Sequence, residues 1–282
     1  MIATMVQRES DLTALASGFR SGVAPRWFEG LLWFSDPIGE AVCTVDLRGS
    51  VTALPLTGHA PVGLGFRPDG SLLISSAFDR QILRYDGETV GPVADLTDIV
   101  PGALGDMVVD DLGRAYIGCQ AAGRSGAIVR LDIDGAMTVV AEDLETPKGI
   151  AISGDRKTLI VAESDPGRLT AFSIADRGQL FDRRIFAEEP GGAPTGVALD
   201  AAGGVWTATS TNGRFERVVF GGKVTDCIET RGNTADACAL GGPGRRILFL
   251  MSSAENDPRM LLGARSSRVD AVKVDIPGAG SP

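Results

Sequence analysis

Few residues in this chain are equipped for chemistry. Among 282 residues there is one histidine, His59, so a multi-histidine metal centre cannot be built and a Ser-His-Asp triad would have to use that residue. Cys43, Cys119, Cys227 and Cys238 lie far apart and form no CxxC pair. That usage fits reduced thiols better than a disulfide frame or a zinc site. The phosphate-cradling GxGxxG and GxxxxGK[ST] patterns are missing between strand and helix, as is the GxSxG nucleophile elbow, which disfavours nucleotide-binding and α/β-hydrolase readings. Attention therefore falls on Lys148, Asp236 and Thr195. A lysine in a pocket can clamp an anionic oxygen, form a Schiff base, or act as a base once desolvation lowers its pKa. An aspartate beside it can be its ion-pair partner or a general base, and a threonine hydroxyl can bond substrate.

The elements that must position these residues form a repeat. Short apolar strands, broken by Gly, Pro and Asp, recur in pairs: Leu32-Trp33-Phe34-Ser35, Leu72-Leu73-Ile74-Ser75, Ala115-Tyr116-Ile117-Gly118, Leu159-Ile160-Val161-Ala162, Val205-Trp206-Thr207-Ala208 and Ile247-Leu248-Phe249-Leu250 each follow a first strand and a turn. The residues just before the six first strands are Val23, Val62, Gly105, Lys148, Thr195 and Asp236, spaced 39, 43, 43, 47 and 41 apart. A period near 40–45 with about four strands per copy is the signature of a propeller blade. Third strands are expected at Ala41–Leu47, Gln81–Tyr85, Ala127–Leu131, Leu169–Phe172 and Val218–Phe220, and outer strands at Met137–Ala141 and Lys223–Ile228. Arg268–Val274 leaves the last blade one strand short, which Asp11–Phe19 can supply. The expected fold is all-β: a six-bladed β-propeller, one domain over residues 1–282, its ring closed by an N-terminal strand. In it the six pre-strand residues surround one end of the central channel.

Composition limits the partners. The net charge of −9 repels nucleic acid and anionic membranes. No apolar run approaches the roughly 18 residues of a membrane span, and Met1 to Leu12 carries no signal-peptide core. The expectation is a cytoplasmic protein with a small-molecule substrate, bound neither to nucleic acid nor to membrane.

Several segments resemble the senescence-marker-protein/gluconolactonase family, which includes luciferin-regenerating enzymes. They are Gly22-Val23-Ala24-Pro25-Arg26-Trp27, Gly105-Asp106-Met107-Val108-Val109-Asp110, Pro147-Lys148-Gly149-Ile150-Ala151 and Pro194-Thr195-Gly196-Val197-Ala198-Leu199-Asp200. The resemblance covers nearly the whole chain. It implies a six-bladed propeller with one calcium or zinc ion at the channel mouth, and in many members hydrolysis of small lactones by that ion. It also implies the ligands: a Glu in the first motif, an Asn in Pro-Asn-Gly, an Asp in Pro-Asp-Gly, and an assisting Asn in Asn-Asp. Those positions are Val23, Lys148, Thr195 and Gly105 here. The substitutions remove the oxygens a hard cation needs, and the lysine adds a like charge, so no metal and no other cofactor is expected.

The candidate catalytic residues are Lys148, Asp236 and His59, the last three residues before the second ring position. Each has a plainer reading: an ion pair for Lys148 and Asp236, a surface loop for His59. Thr195, Asp106, Gln120, Glu163 and Ser210 are candidate substrate-binding residues, against ordinary packing. Three functions stay open: a metal-independent enzyme acting through Lys148 and Asp236 on a small oxygenated molecule (a lactone, hydroxy-ketone or polyketide-like ring), a non-catalytic binding propeller, and a metal-dependent lactone hydrolase with rearranged ligands. On the enzyme reading the chain is a lactonase-like hydrolase, or a lyase or isomerase on the same scaffold.

Overall fold

The structure is a computed structural model describing residues 6–7, 12–121, 124–230, 232–254 and 264–279. Six sheets, antiparallel but for one added edge strand, follow one another along the chain. Their innermost strands are Val23–Phe28, Pro61–Phe66, Ala103–Val109, Pro147–Ile152, Pro194–Leu199 and Thr234–Gly241. Each pairs with the next strand in sequence, so every blade is a meander of local hairpins. Val6–Gln7 adds to the fifth as an extra edge strand parallel to Val224–Glu229, and the sixth is the exception to the meander. Its outer strand, Thr13–Phe19, comes from the other end of the chain and pairs antiparallel with Ser267–Lys273. This closes the ring as expected, with Asp11 outside the described residues.

The hairpins within blades reuse one device. In the turns between first and second strands, Asp69, Asp110 and Asp200 accept hydrogen bonds from backbone amides two or four residues on, which is the usual turn chemistry of Asp. Between blades lie six clusters of buried apolar side chains, one per interface. The seam between the last and first blades is packed as fully as the rest: Phe19, Phe34, Phe249 and Met251 share a cluster there, and Trp27 stacks on Phe249 at 5.1 Å.

One expected strand is displaced. The third strand of blade five is Arg214–Val218, not Val218–Phe220. The apolar run Val218-Val219-Phe220 reads as a strand core, but Gly221 and Gly222 both take positive φ and turn the chain. Val219 N–H then bonds the Lys223 carbonyl across the hairpin, and Phe220 is left exposed against Phe186.

The inner strands approach each other closely at the mouth. A Cβ on Gly149 would sit 2.5 Å from the Thr195 carbonyl oxygen, and one on Gly196 2.6 Å from Ala237 Cα. Glycine directly after Lys148 and Thr195 thus lets consecutive blades bring their ring residues around one space.

Candidate functional site at the channel mouth

Val23, Val62, Gly105, Lys148, Thr195 and Asp236 all line a single cavity of about 400 Å³ at one end of the channel. That volume suits a small-molecule ligand. The repeat that aligned these residues in sequence therefore gathers them in space.

The floor is an ion pair. The Arg26 guanidinium bonds Asp106 at 2.7 Å, the Pro25 carbonyl at 2.8 Å, and the Met107 carbonyl. Asp106 also accepts from the Met107 and Ile150 amides at 2.9 and 3.2 Å. Burial pushes the Asp106 carboxyl up in pKa, opposed by Arg26 and these amides. The pair ties blades one, three and four together. It also separates the mouth from a smaller cavity of about 50 Å³ that Arg26 shares deeper in the channel. Asp106 thus faces the mouth with its oxygens already engaged.

Lys148 and Asp236 stand on the wall two blades apart. Each is partly buried, and they form no ion pair with each other. Burial alone lowers the Lys148 pKa, with no carboxylate close enough to offset it. Burial raises Asp236 to about 7, opposed only by the Ser253 hydroxyl. Both shifts disfavour charge, which is the direction desolvation imposes on acids and bases alike. Thr195, between them in the ring, donates its hydroxyl to the Asp236 carbonyl at 2.7 Å and the Ala208 carbonyl at 3.2 Å. Gln120 also lines the cavity; its amide donates to the Pro147 carbonyl at 2.9 Å and leaves its carbonyl end for a ligand.

The other three candidates lie outside this lining. His59 bonds Asp79 through Nδ1 at 2.8 Å, in a half-buried pair on the neighbouring loop. Glu163 is fully buried in a cluster with Arg168, Thr170 and the Glu145 amide, and these partners hold its carboxyl below the usual range despite burial. Ser210 borders a separate surface pocket beside Asn212 and Thr230. Residues that the repeat did not single out also line the mouth, among them Arg26, Ala77 and Phe78. Phe78 sits on the turn after the second strand of blade two and is 80 % exposed.

The chain belongs to the SMP-30/gluconolactonase/LRE-like family, whose model matches residues 21–254. It is 29 % identical to a 6-deoxy-6-sulfogluconolactonase of Pseudomonas putida over 93 % of this chain and 94 % of that one. A pentonolactonase of Haloferax volcanii is 24 % identical over 93 % of both. Among solved structures, regucalcin from Agrobacterium tumefaciens superposes with a TM-score of 0.84 at 21 % identity, covering 99 % of this chain and 98 % of the other. At that identity the likeness speaks for the fold.

The residues at the mouth do not fit the divalent ion that the resemblance implies. Val23 and Gly105 offer no side-chain donor. Thr195 offers a neutral hydroxyl where the resemblance puts a carboxylate, and Lys148 brings a positive charge. Calcium needs six to eight oxygens and zinc about four N, O or S ligands. Among the described residues, no group of three or more His, Cys, Asp or Glu is assembled to hold a metal.

Proposed function

We propose that the chain is an enzyme that hydrolyses a small lactone or related cyclic carbonyl compound at the mouth, with Lys148 and Asp236 carrying the chemistry. The observation behind this reading is that both face one ligand-sized cavity without pairing with each other. A cation and an acid left unpaired and half-desolvated in one cavity are what perturbed functional groups look like. No helix among the described residues is long and apolar enough to cross a bilayer.

The division of labour follows from charge. Ionised Asp236 takes a proton from water as its oxygen attacks the carbonyl carbon. The Lys148 ammonium stabilises the resulting oxyanion, at the ring position where the resemblance puts a metal ligand. Collapse breaks the bond to the ring oxygen, and protonated Asp236 returns the proton to that leaving oxygen. The products are a hydroxy acid and the enzyme in its starting state. An Asp that titrates near 7 is well poised for both transfers. Thr195, Gln120 and Asp106 would orient substrate around this pair.

The test is hydrolysis of a lactone panel by purified protein, with excess EDTA and with added calcium or zinc in parallel. Turnover indifferent to EDTA is expected. Lys148→Met should lower kcat/KM by roughly 10²–10³, the usual loss of an oxyanion-stabilising group, and Asp236→Asn by roughly 10²–10⁴. Turnover abolished by EDTA and restored by metal would sink the reading, as would ligand binding with no product under any condition.

A further inference from the structure

The two halves of the mouth differ in chemistry. Blades four, five and six contribute Lys148, Thr195 and Asp236. Blades one, two and three contribute Val23, Val62, Ala77, Phe78, Ala103 and Leu104, together with the polar Arg26, Asp106 and Gln120. The apolar half is fixed firmly. The Ala77 amide bonds the Ala60 carbonyl at 2.9 Å and its carbonyl accepts from the Leu104 amide at 3.0 Å, so the turn bearing Phe78 is tied both to its own blade and to the next. Phe78 lines the cavity with most of its surface in solvent, and an apolar ligand seated there would bury it.

Several polar groups of the mouth are already engaged. Asp106 accepts from Arg26 and two amides. The Gln120 amide group and the Thr195 hydroxyl are donating to backbone carbonyls. What remains for a ligand is the Lys148 ammonium, the Asp236 carboxyl, the carbonyl oxygen and second N–H of Gln120, and the acceptor side of the Thr195 hydroxyl. These suffice for one carbonyl or carboxylate head with a neighbouring oxygen. None of these groups belongs to Val62, Phe78 or Leu104, so a ring hydroxyl directed at that wall goes unpaired, and each such loss weakens binding by roughly tenfold.

We infer that the mouth accepts an amphiphilic carbonyl compound, with one apolar body of phenyl or branched-alkyl size against Val62, Phe78 and Leu104 and a single oxygenated head at Lys148 and Asp236, in preference to a polyhydroxylated lactone. The inference names the substrate class for the hydrolytic reading above and rests on the same cavity.

Binding and turnover separate the two. In titration calorimetry on the full chain at pH 7, 3-phenylpropionate should bind at least tenfold more tightly than gluconate. Phe78→Ser and Val62→Asn should each weaken 3-phenylpropionate several-fold while leaving gluconate unchanged. In parallel, γ-phenyl-γ-butyrolactone and glucono-δ-lactone are compared for hydrolysis. Selective, Phe78-dependent binding without hydrolysis of either lactone upholds the amphiphilic pocket and defeats the hydrolytic reading. Equal or tighter binding of gluconate overturns the inference, even if glucono-δ-lactone is turned over. So does indifference of 3-phenylpropionate to both substitutions. Phe78 is exposed, so its serine variant is expected to fold and keeps the test decisive.

Discussion

Asp236 and Lys148 hold charge-bearing groups where charge is disfavoured, and that has a cost measurable without any substrate. Asp236 titrates at about 7 in the folded chain, against an ordinary value of 3.8. Below 3.8 both states hold the proton and the residue is neutral in either. Between 3.8 and about 7 the unfolded carboxylate ionises while the folded one does not, so stability falls by up to ~1.4 kcal/mol per pH unit across that window. Asn carries no such penalty. Melting curves of Asp236→Asn should therefore match wild type near pH 4, rise above it as pH increases, and level off beyond pH 8. A constant difference across pH would mean that the carboxyl is not desolvated. Lys148 is shifted the other way, its folded pKa lowered by burial. The stability it forfeits is absent above its ordinary value and fully felt once pH drops below the folded one. Lys148→Met should accordingly melt higher than wild type at neutral pH. Both groups thus oppose stability at neutral pH, which is the pattern expected where function sets residue identity.

At the scale of the strand, the glycines following Lys148 and Thr195 set how tightly the inner strands crowd. Gly149→Ala would drive a methyl against the Thr195 carbonyl, and Gly196→Ala one against Ala237. Backbone, not a flexible side chain, is the obstacle in each case. Each substitution should cost about 1–3 kcal/mol through overpacking and spread the ring residues, so that ligand affinity falls more than in a control such as Gly91→Ala, whose Cβ meets nothing within 4 Å. Equal effects of all three would show that the close approach is unimportant. These strands were legible in the sequence because hairpins are local: apolar runs alternate with Asp and Gly turns at short range, and the ring positions follow from the period. The one displaced strand, Arg214–Val218, carries charge at three of its five positions and hides beside a more apolar neighbour that the paired glycines bend into a turn. The site was legible only in part. Lys148, Thr195 and Asp236 share a register that repetition reveals. The Arg26–Asp106 floor joins residues 80 apart, a contact that no local pattern encodes. His59 and Glu163 lie close to ring or strand ends in sequence, yet Asp79 and Arg168 turn them to other partners.

The whole molecule is a ring, and a ring is only as sound as its seam. Five blades close by hairpins between sequence neighbours, whereas the sixth is completed by pairing Thr13–Phe19 with Ser267–Lys273 from opposite ends of the chain. Until that pairing forms, Ser267–Lys273 presents an open strand edge, and Trp27 lacks its stacking partner Phe249 in a fixed position. The mouth depends on the same closure, because Val23 and Asp236 belong to the two blades that meet there. Loss of the seam would part the apolar wall from the acid without touching either. A covalent staple isolates this effect. Ala14 and Asp270 face each other in register, so Ala14→Cys with Asp270→Cys can bridge the two strands, and the four native cysteines are buried away from solvent. A loop of this length lowers the entropy of the unfolded chain by the equivalent of about 5.5 kcal/mol if the bond is unstrained. The oxidised double variant should melt on the order of 10 °C above its reduced form, given the slope expected for a chain of this size. Reduction with dithiothreitol should return it to the reduced value, while ligand affinity at the mouth stays the same in both forms. A gain in affinity on oxidation would instead mean that the seam opens under native conditions and that closure gates the site. No rise in melting temperature, with the bond shown to be formed, would mean that unfolding begins elsewhere in the ring.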